Sequence, residues 1–312
     1  MVFMTKKKTL TVIILVAVIS AVIAGLIFEL DYFDVIDLDY KPKYYGLKYD
    51  QLGSAKKLEG DVAVVSVFVS DSNMRWDFSN GRDIELRKEM FAQTDIALKY
   101  LASQAKKYNK SVVFHTAGDE KDGLLYYECD FGEKSVYDIN AEAESDEPVM
   151  PNEWDFINKN INVEKINQKY GDNIVYLFFM NGNYFAYAFG TFKTVLEQPY
   201  EICILPYDLS YRKMTPTIIA HEMLHLFGAV DLYKNDPDLL TNDATLDYVD
   251  FCNKYHDTDI MYVTGWRSKY ELQPDTVTGE ITDITAYYIG WTNSVPFEID
   301  WFRIYHSQHE QH

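Results

Sequence analysis

Thr215-Pro216-Thr217-Ile218-Ile219-Ala220-His221-Glu222-Met223-Leu224-His225-Leu226-Phe227-Gly228-Ala229-Val230-Asp231 is the stretch on which the rest of the sequence turns. Thr215 offers a hydroxyl cap and Pro216 a residue preset for the first helical position, so a helix starts here. Gly228 stops it and, because glycine tolerates positive φ, lets the chain turn abruptly. His221 and His225 are four residues apart and project from one face of that helix, where two neutral imidazoles can bind one zinc ion. Glu222 lies beside the first of them, next to the metal rather than on it, where it can accept a proton from an activated water and return it to a leaving amine. Asp231 falls ten residues after His221, where the turn at Gly228 lets a third ligand swing back. Three protein ligands leave an open position for water, as a catalytic rather than a structural site requires. The alternatives are two histidines packed inside a buried helix, an Asp231 that closes the helix by bonding local amides, and His256 as the third ligand.

The run from His221 to Asp231 resembles the extended zinc motif of the metzincin metallopeptidases, His-Glu-x-x-His-x-x-Gly-x-x-His/Asp, and its final Asp resembles the snapalysin type. Asp259-Ile260-Met261-Tyr262 resembles the Met-turn of the same family. The resemblance implies a zinc-dependent endopeptidase acting on protein or peptide substrates. It implies an α/β (α+β) fold: a twisted, mostly parallel sheet with helices, an active-site helix, and a small C-terminal subdomain that holds the Met-turn and a final helix, for which residues 281–291 are the candidate. Met261 would lie beneath the metal as a hydrophobic floor, not as a ligand. An antiparallel edge strand above the cleft would pair with extended substrate by strand addition; Tyr184-Phe185-Ala186-Tyr187-Ala188-Phe189 is the candidate, through Tyr184, Ala186 and Ala188. The chain departs from the family's pattern in several places. The stretch between Asp231 and Met261 is long and acidic, no cysteine in residues 29–60 resembles the blocking thiol of some relatives, and Val263 stands where some relatives place a ligating tyrosine. Gly228-Ala229-Val230-Asp231-Leu232-Tyr233 also resembles the Gly-x-x-Asp-x-Tyr of immune-inhibitor-type metallopeptidases.

Outward from this core, the sequence alternates strand and helix patterns. Val62 to Val69 is a β-branched run and reads as a buried strand. Residues 82–108 carry apolar residues at helical spacing. Lys110 to His115 and Leu124 to Cys129 are further strand candidates, and the acidic residues 132–153 read as an exposed insertion. Residues 154–170 look like one helix. Asn173 to Met180 is an apolar strand, Asn181-Gly182 marks a turn, and Ile202 to Pro206 is another strand. Such alternation argues for a mixed, mostly parallel sheet in a catalytic domain spanning residues 61–312.

Lys6, Lys7 and Lys8 precede an unbroken apolar run from Thr9 to Phe28, about 20 residues and long enough to cross a bilayer. Residues 1–8 then read as a cytoplasmic tail, 9–28 as an uncleaved anchor, and the remainder as lying outside the cell membrane. The alternative is a cleaved signal peptide and a secreted protein, with small residues at Ser20-Ala21-Val22-Ile23-Ala24-Gly25. Residues 29–60 read as a stalk or a short pro-segment. The formal net charge of −19 speaks against nucleic acid as a partner, because phosphate contacts need clustered Lys and Arg. Asp236, Asp238, Asp243, Asp247 and Asp250 could bind Ca2+ or form a solvated acidic loop; their spacing matches no calcium loop. Cys129, Cys203 and Cys252 read as buried thiols or as one bridge plus a free thiol. His306, His309 and His312 read as a flexible tail, His115 as structural, and Tyr255 and Tyr262 as weak oxyanion candidates. Nothing in the sequence specifies an oligomeric state. A membrane-anchored surface binding module that keeps the fold without turnover is the alternative function; the complete His221-Glu222-x-x-His225 speaks against it.

Overall fold

Gly60–Ser70 (β1) is buried along its whole length from Val62 onward, as expected of a β-branched strand covered on both faces. The computed structural model describes residues 43–46, 49, 52–118, 123–134, 136, 152–189, 200–209, 212–233, 242–265 and 268–294, with the backbone alone for 46, 189 and 242–248. The apolar run 9–28, the tail histidines and Asp236 and Asp238 lie outside the described residues, as do the side chains of Asp243 and Asp247. Among the described residues, no helix is long and apolar enough to cross a membrane.

Before β1 stands a single helical turn, Lys43–Gly46 (α1). After it, Gly81–Lys107 (α2) opens on Asn80, whose side chain accepts from the Arg82 N–H at 2.9 Å. Leu86, Met90, Phe91, Ala97, Leu98, Leu101 and Ala105 bury one stripe of this helix. Then follow Val112–Thr116 (β2), Tyr126–Asp130 (β3), Asn152–Asn160 (α3), Val163–Tyr170 (α4), Ile174–Tyr184 (β4), Tyr187–Phe189 (β5), Ile202–Leu209 (β6), Arg212–Lys213 (β7), Pro216–Leu226 (α5), Asn242–Tyr255 (α6), Ile260–Val263 (α7) and Asp283–Tyr288 (α8).

The fold is α/β, with a mixed, mostly parallel sheet in the order β2-β1-β4-β6-β5. β1 pairs in parallel with β2 along Gly60–Val64 and with β3 along Ser66–Ser70, so two short strands share one of its edges. β4 and β6 continue the parallel set. β5 runs antiparallel on the far side of β6, and β7 folds back on the end of β6. Phe68 sits among Trp76, Phe78, Phe91, Tyr126 and Phe179, with ring centroids 5.0–5.7 Å away. Part of the chain's high aromatic content is spent in this one cluster between sheet and α2. α2 and α5 pack against one another, and α5 also lies against β5 and β6.

Several expected elements differ in detail. Asn181-Gly182 does not turn: β4 runs through it to Tyr184, with a register shift between Met180 and Asn183. The Asn181 amide donates to the Arg75 carbonyl and to Asp83, and a Cβ on Gly182 would fall 1.8 Å from the Met74 sulfur. That glycine therefore serves close approach. The expected aromatic strand 184–189 is divided: Tyr184 ends β4 and only Tyr187–Phe189 forms the antiparallel edge. Residues 154–170 are two helices, broken at Ile161-Asn162 because the Asn162 side chain caps α4 through the Lys165 N–H. The final helix is shorter than 281–291. No disulfide joins Cys129, Cys203 and Cys252, of which the last two are buried.

Candidate metal centre

α5 begins where expected. Thr215 is extended (φ −138, ψ 159) and its hydroxyl accepts from the Ile218 N–H. The helix is almost entirely buried, with His225 the half-exposed exception. It ends in a reversal at Gly228, whose φ of +97 favours glycine. The Gly228 N–H donates to the His225 carbonyl and the Ala229 N–H to the Leu224 carbonyl. This tight turn brings the chain back across the end of the helix.

Three side chains converge there. His221 Nε2 lies 3.1 Å from His225 Nε2, and Asp231 Oδ1 lies 3.1 Å from the first and 3.3 Å from the second. These residues form the one group among those described whose ligand atoms could hold a metal ion. Ligands arranged tetrahedrally at the ~2.0–2.1 Å typical of zinc–nitrogen bonds are separated by roughly 3.3 Å, so the spacing and the donor set both fit such an ion.

The tautomers are fixed from behind. His225 Nδ1–H donates to the Ala229 carbonyl at 2.8 Å. His221 Nδ1 faces the Ile260 carbonyl at 3.4 Å and the Thr264 hydroxyl at 3.1 Å; a carbonyl can only accept, so the proton belongs on Nδ1. With each Nδ1 turned to a backbone carbonyl, both Nε2 atoms face the common point, the orientation a ligating imidazole needs. Thr264 is itself held, because its carbonyl accepts from Arg212 at 2.7 Å. Burial depresses the His225 imidazole, but the Asp231 carboxylate more than offsets this and leaves it at about 9. Asp231 stands well below the usual carboxylate range: burial alone would raise it, and the two imidazoles outweigh that. The Asp231 carboxylate thus draws positive charge to the point between the two imidazoles, the charge a divalent cation would supply.

Asp231 is anchored on both sides. The Leu232 N–H donates to the Met261 carbonyl at 3.1 Å. The Tyr233 hydroxyl bonds the Asp231 carboxylate, and burial followed by that charge pushes the phenol upward. The Tyr233 ring stacks on His221 at 6.0 Å and 23°, and Gly265 makes room for it: a Cβ there would lie 2.3 Å from the ring. Glu222 is buried next to His221 and lies close enough to Cys203 of β6 to help burial raise that thiol.

No family model matches the chain, and no curated protein does. What the centre contains is accordingly read from its own geometry. His221, His225 and Asp231 are brought together, with Glu222 adjoining. Met261 is fully buried in α7, its N–H bound by Asp259 and its carbonyl by Leu232. Of the three edge-strand positions, Ala188 lies on β5, Ala186 in the link before it, and Tyr184 at the exposed end of β4. His256 is not part of the group; its ring packs beside Phe251 at the end of α6. Tyr255 is exposed and Tyr262 is buried. His115 bonds Asp61 at 2.7 Å and stacks on Tyr170. Asp250, the one acidic-loop candidate whose side chain is described, is exposed and joins no group that could hold a metal. Tyr233 was within reach of sequence reasoning through the Gly-x-x-Asp-x-Tyr pattern. Thr264 carried no local signal, because it meets His221 only through space, and Arg212 carried none because it acts through Thr264.

Proposed function

We propose that the chain is a zinc-dependent endopeptidase of the metzincin type, tethered to a membrane by residues 9–28 and acting on extended segments of proteins or peptides outside the cell. The observation that carries this reading is the convergence of His221 Nε2, His225 Nε2 and Asp231 Oδ1 within 3.3 Å of one another, with Glu222 next in sequence to the first ligand. The antiparallel strand β5 beside the active-site helix and the turn at Met261 agree with it.

His221, His225 and Asp231 would hold one zinc ion. When bound, the ion supplies Lewis acidity and lowers the pKa of a water towards neutrality. Glu222 takes the proton of the attacking water as its oxygen adds to the scissile carbonyl carbon. As the C–N bond breaks, Glu222 delivers that proton to the departing amine. Nδ1 bonds to Ala229 and Ile260 keep both imidazoles oriented throughout. Among the described residues β5 is the edge of the sheet; an extended peptide would add there as a further strand and so align its scissile bond along the helix.

Hydrolysis of a quenched fluorescent casein, with and without a zinc chelator, tests the reading, alongside metal analysis of wild type and His221→Ala. Near-stoichiometric zinc in wild type, little in the variant, and chelator-sensitive cleavage are expected. A folded, zinc-loaded protein that cleaves nothing would instead favour the binding module.

A further inference from the structure

We propose that Lys43 is a positioning residue of the metal centre: its buried ammonium clamps the last carbonyl of the helix that carries His221 and His225, making the segment ahead of β1 a working part of the catalytic unit. This rests on the metallopeptidase reading above.

Lys43 is 3% exposed. Its ammonium has three donors, and each meets an acceptor: the Ala55 carbonyl at 2.8 Å, Glu201 Oε1 at 2.9 Å and the Leu226 carbonyl at 2.8 Å. Glu201 is fully buried just ahead of β6. Its other oxygen accepts from the Ala55 N–H at 2.8 Å and the Ser54 hydroxyl at 2.9 Å, and Ser54 Oγ accepts the Glu201 N–H in return. Gly53 is fitted to this carboxylate, since a Cβ there would lie 2.2 Å from Oε1. Two buried charges carry a desolvation penalty that replacement by apolar residues would remove, so stability alone gives little reason for the arrangement.

Its position supplies a reason. Leu226 is the final residue of α5, where carbonyls lack partners within the helix and a cation is favoured by the helix dipole. It directly follows His225 and stands two residues before Gly228. The Lys43 Cβ would lie 3.0 Å from a Cβ placed on Gly228. Lys43 therefore touches both the end of the helix and the turn whose next residues supply the Ala229 carbonyl to His225 and the Asp231 carboxylate to the site. Tyr44 packs on Gly290, and Tyr45 stacks on Tyr287 at 5.4 Å, which secures the segment from its other side.

The full chain is compared with Lys43→Met and Glu201→Gln by three measurements: Tm, the zinc dissociation constant against a chromogenic chelator, and the visible absorption of the cobalt-substituted protein, the last two taken well below each Tm. Glu201→Gln weakens the buried pair but leaves the Leu226 clamp. It should lower Tm while zinc affinity and the cobalt bands stay as in wild type. Lys43→Met should weaken zinc about tenfold, as loss of an outer-shell support does, and shift the cobalt bands. If Lys43→Met does not fold, Lys43→Arg, which keeps the charge but not the three-way donor set, takes its place under the same criteria. Equal zinc affinity in all variants, or affinity falling in step with Tm in both, overturns the proposal. A wild type that binds no zinc would instead defeat the metallopeptidase reading.

Discussion

Each of the two imidazoles has its Nδ1 committed to a backbone carbonyl, Ala229 for His225 and Ile260 for His221. The side chains the sequence could identify are those related by local spacing: four residues along a helix for the histidines, and one glycine reversal for Asp231. Of the residues it could not identify, Thr264 reaches His221 from 43 positions away, and Arg212 acts only through the Thr264 carbonyl. On the proposed reading, Glu222 differs from the three ligands in being needed for proton transfer and not for binding. Glu222→Gln should therefore retain full zinc by metal analysis while cleavage of a quenched casein falls by about 100-fold or more, the usual range for a lost general base; an equal loss of zinc would make Glu222 a ligand. Gly265 tests the support behind the ligands. A methyl group there meets the Tyr233 ring at 2.3 Å, and that ring both stacks on His221 and bonds Asp231. Gly265→Ala should cost about 1–3 kcal/mol by overpacking and weaken zinc in a chelator competition. Unchanged zinc affinity would mean that the ring is filler.

Among the elements, α7 is far too short to be held by its own helical bonds, and Asp259 holds it. Its fully buried carboxylate caps α7 through the Met261 N–H at 2.8 Å and reaches α8 through the Thr282 N–H and hydroxyl and the Thr285 hydroxyl. One side chain thus joins the turn beside His221 to α8. Asp259→Ala removes four bonds and strands buried donors, and should destabilise by on the order of 3–4 kcal/mol in denaturant unfolding. Met261→Leu, nearly volume-conserving, should cost less than about 1.5 kcal/mol. If the two variants proved equal, the carboxylate would not be what holds the turn. The long elements were legible because their patterns repeat: the apolar stripe of α2 and the β-branched run of β1. Residues 154–170 were not, because a capping asparagine in mid-pattern looks like one more polar surface position until Asn162 is seen to bond the Lys165 N–H.

Across the whole molecule, a mostly parallel sheet could be read from alternating strands and helices, but not the order β2-β1-β4-β6-β5, which depends on crossovers that leave no local trace. The Lys43–Glu201 pair spans 158 positions and was equally invisible; residues 29–60 looked like a stalk or pro-segment because only Lys43's distant acceptors give its charge a place inside. Glu153, in the first turn of α3, has a similar history. It stood in what read as an exposed acidic insertion, yet it is 3% exposed and its Oε1 has no hydrogen-bond partner among the described residues. Burial, then the nearby Asp71 charge, raise it from 4.5 to about 7, although its own N–H pulls the other way. Cys129, the neighbouring thiol, is pushed up to about 12 by burial and stays neutral across this range. Because the folded pKa is the higher one, Glu153 contributes stability that is complete below about pH 4.5 and lost as pH rises through about 7. Relative to wild type, Glu153→Gln should therefore gain up to about 3 kcal/mol between pH 4.5 and pH 8, whatever constant offset the buried amide introduces. Urea unfolding of both proteins at pH 4.5, 6 and 8 reads this directly. A difference that stays constant with pH would mean that Glu153 ionises in the fold as easily as in the unfolded chain.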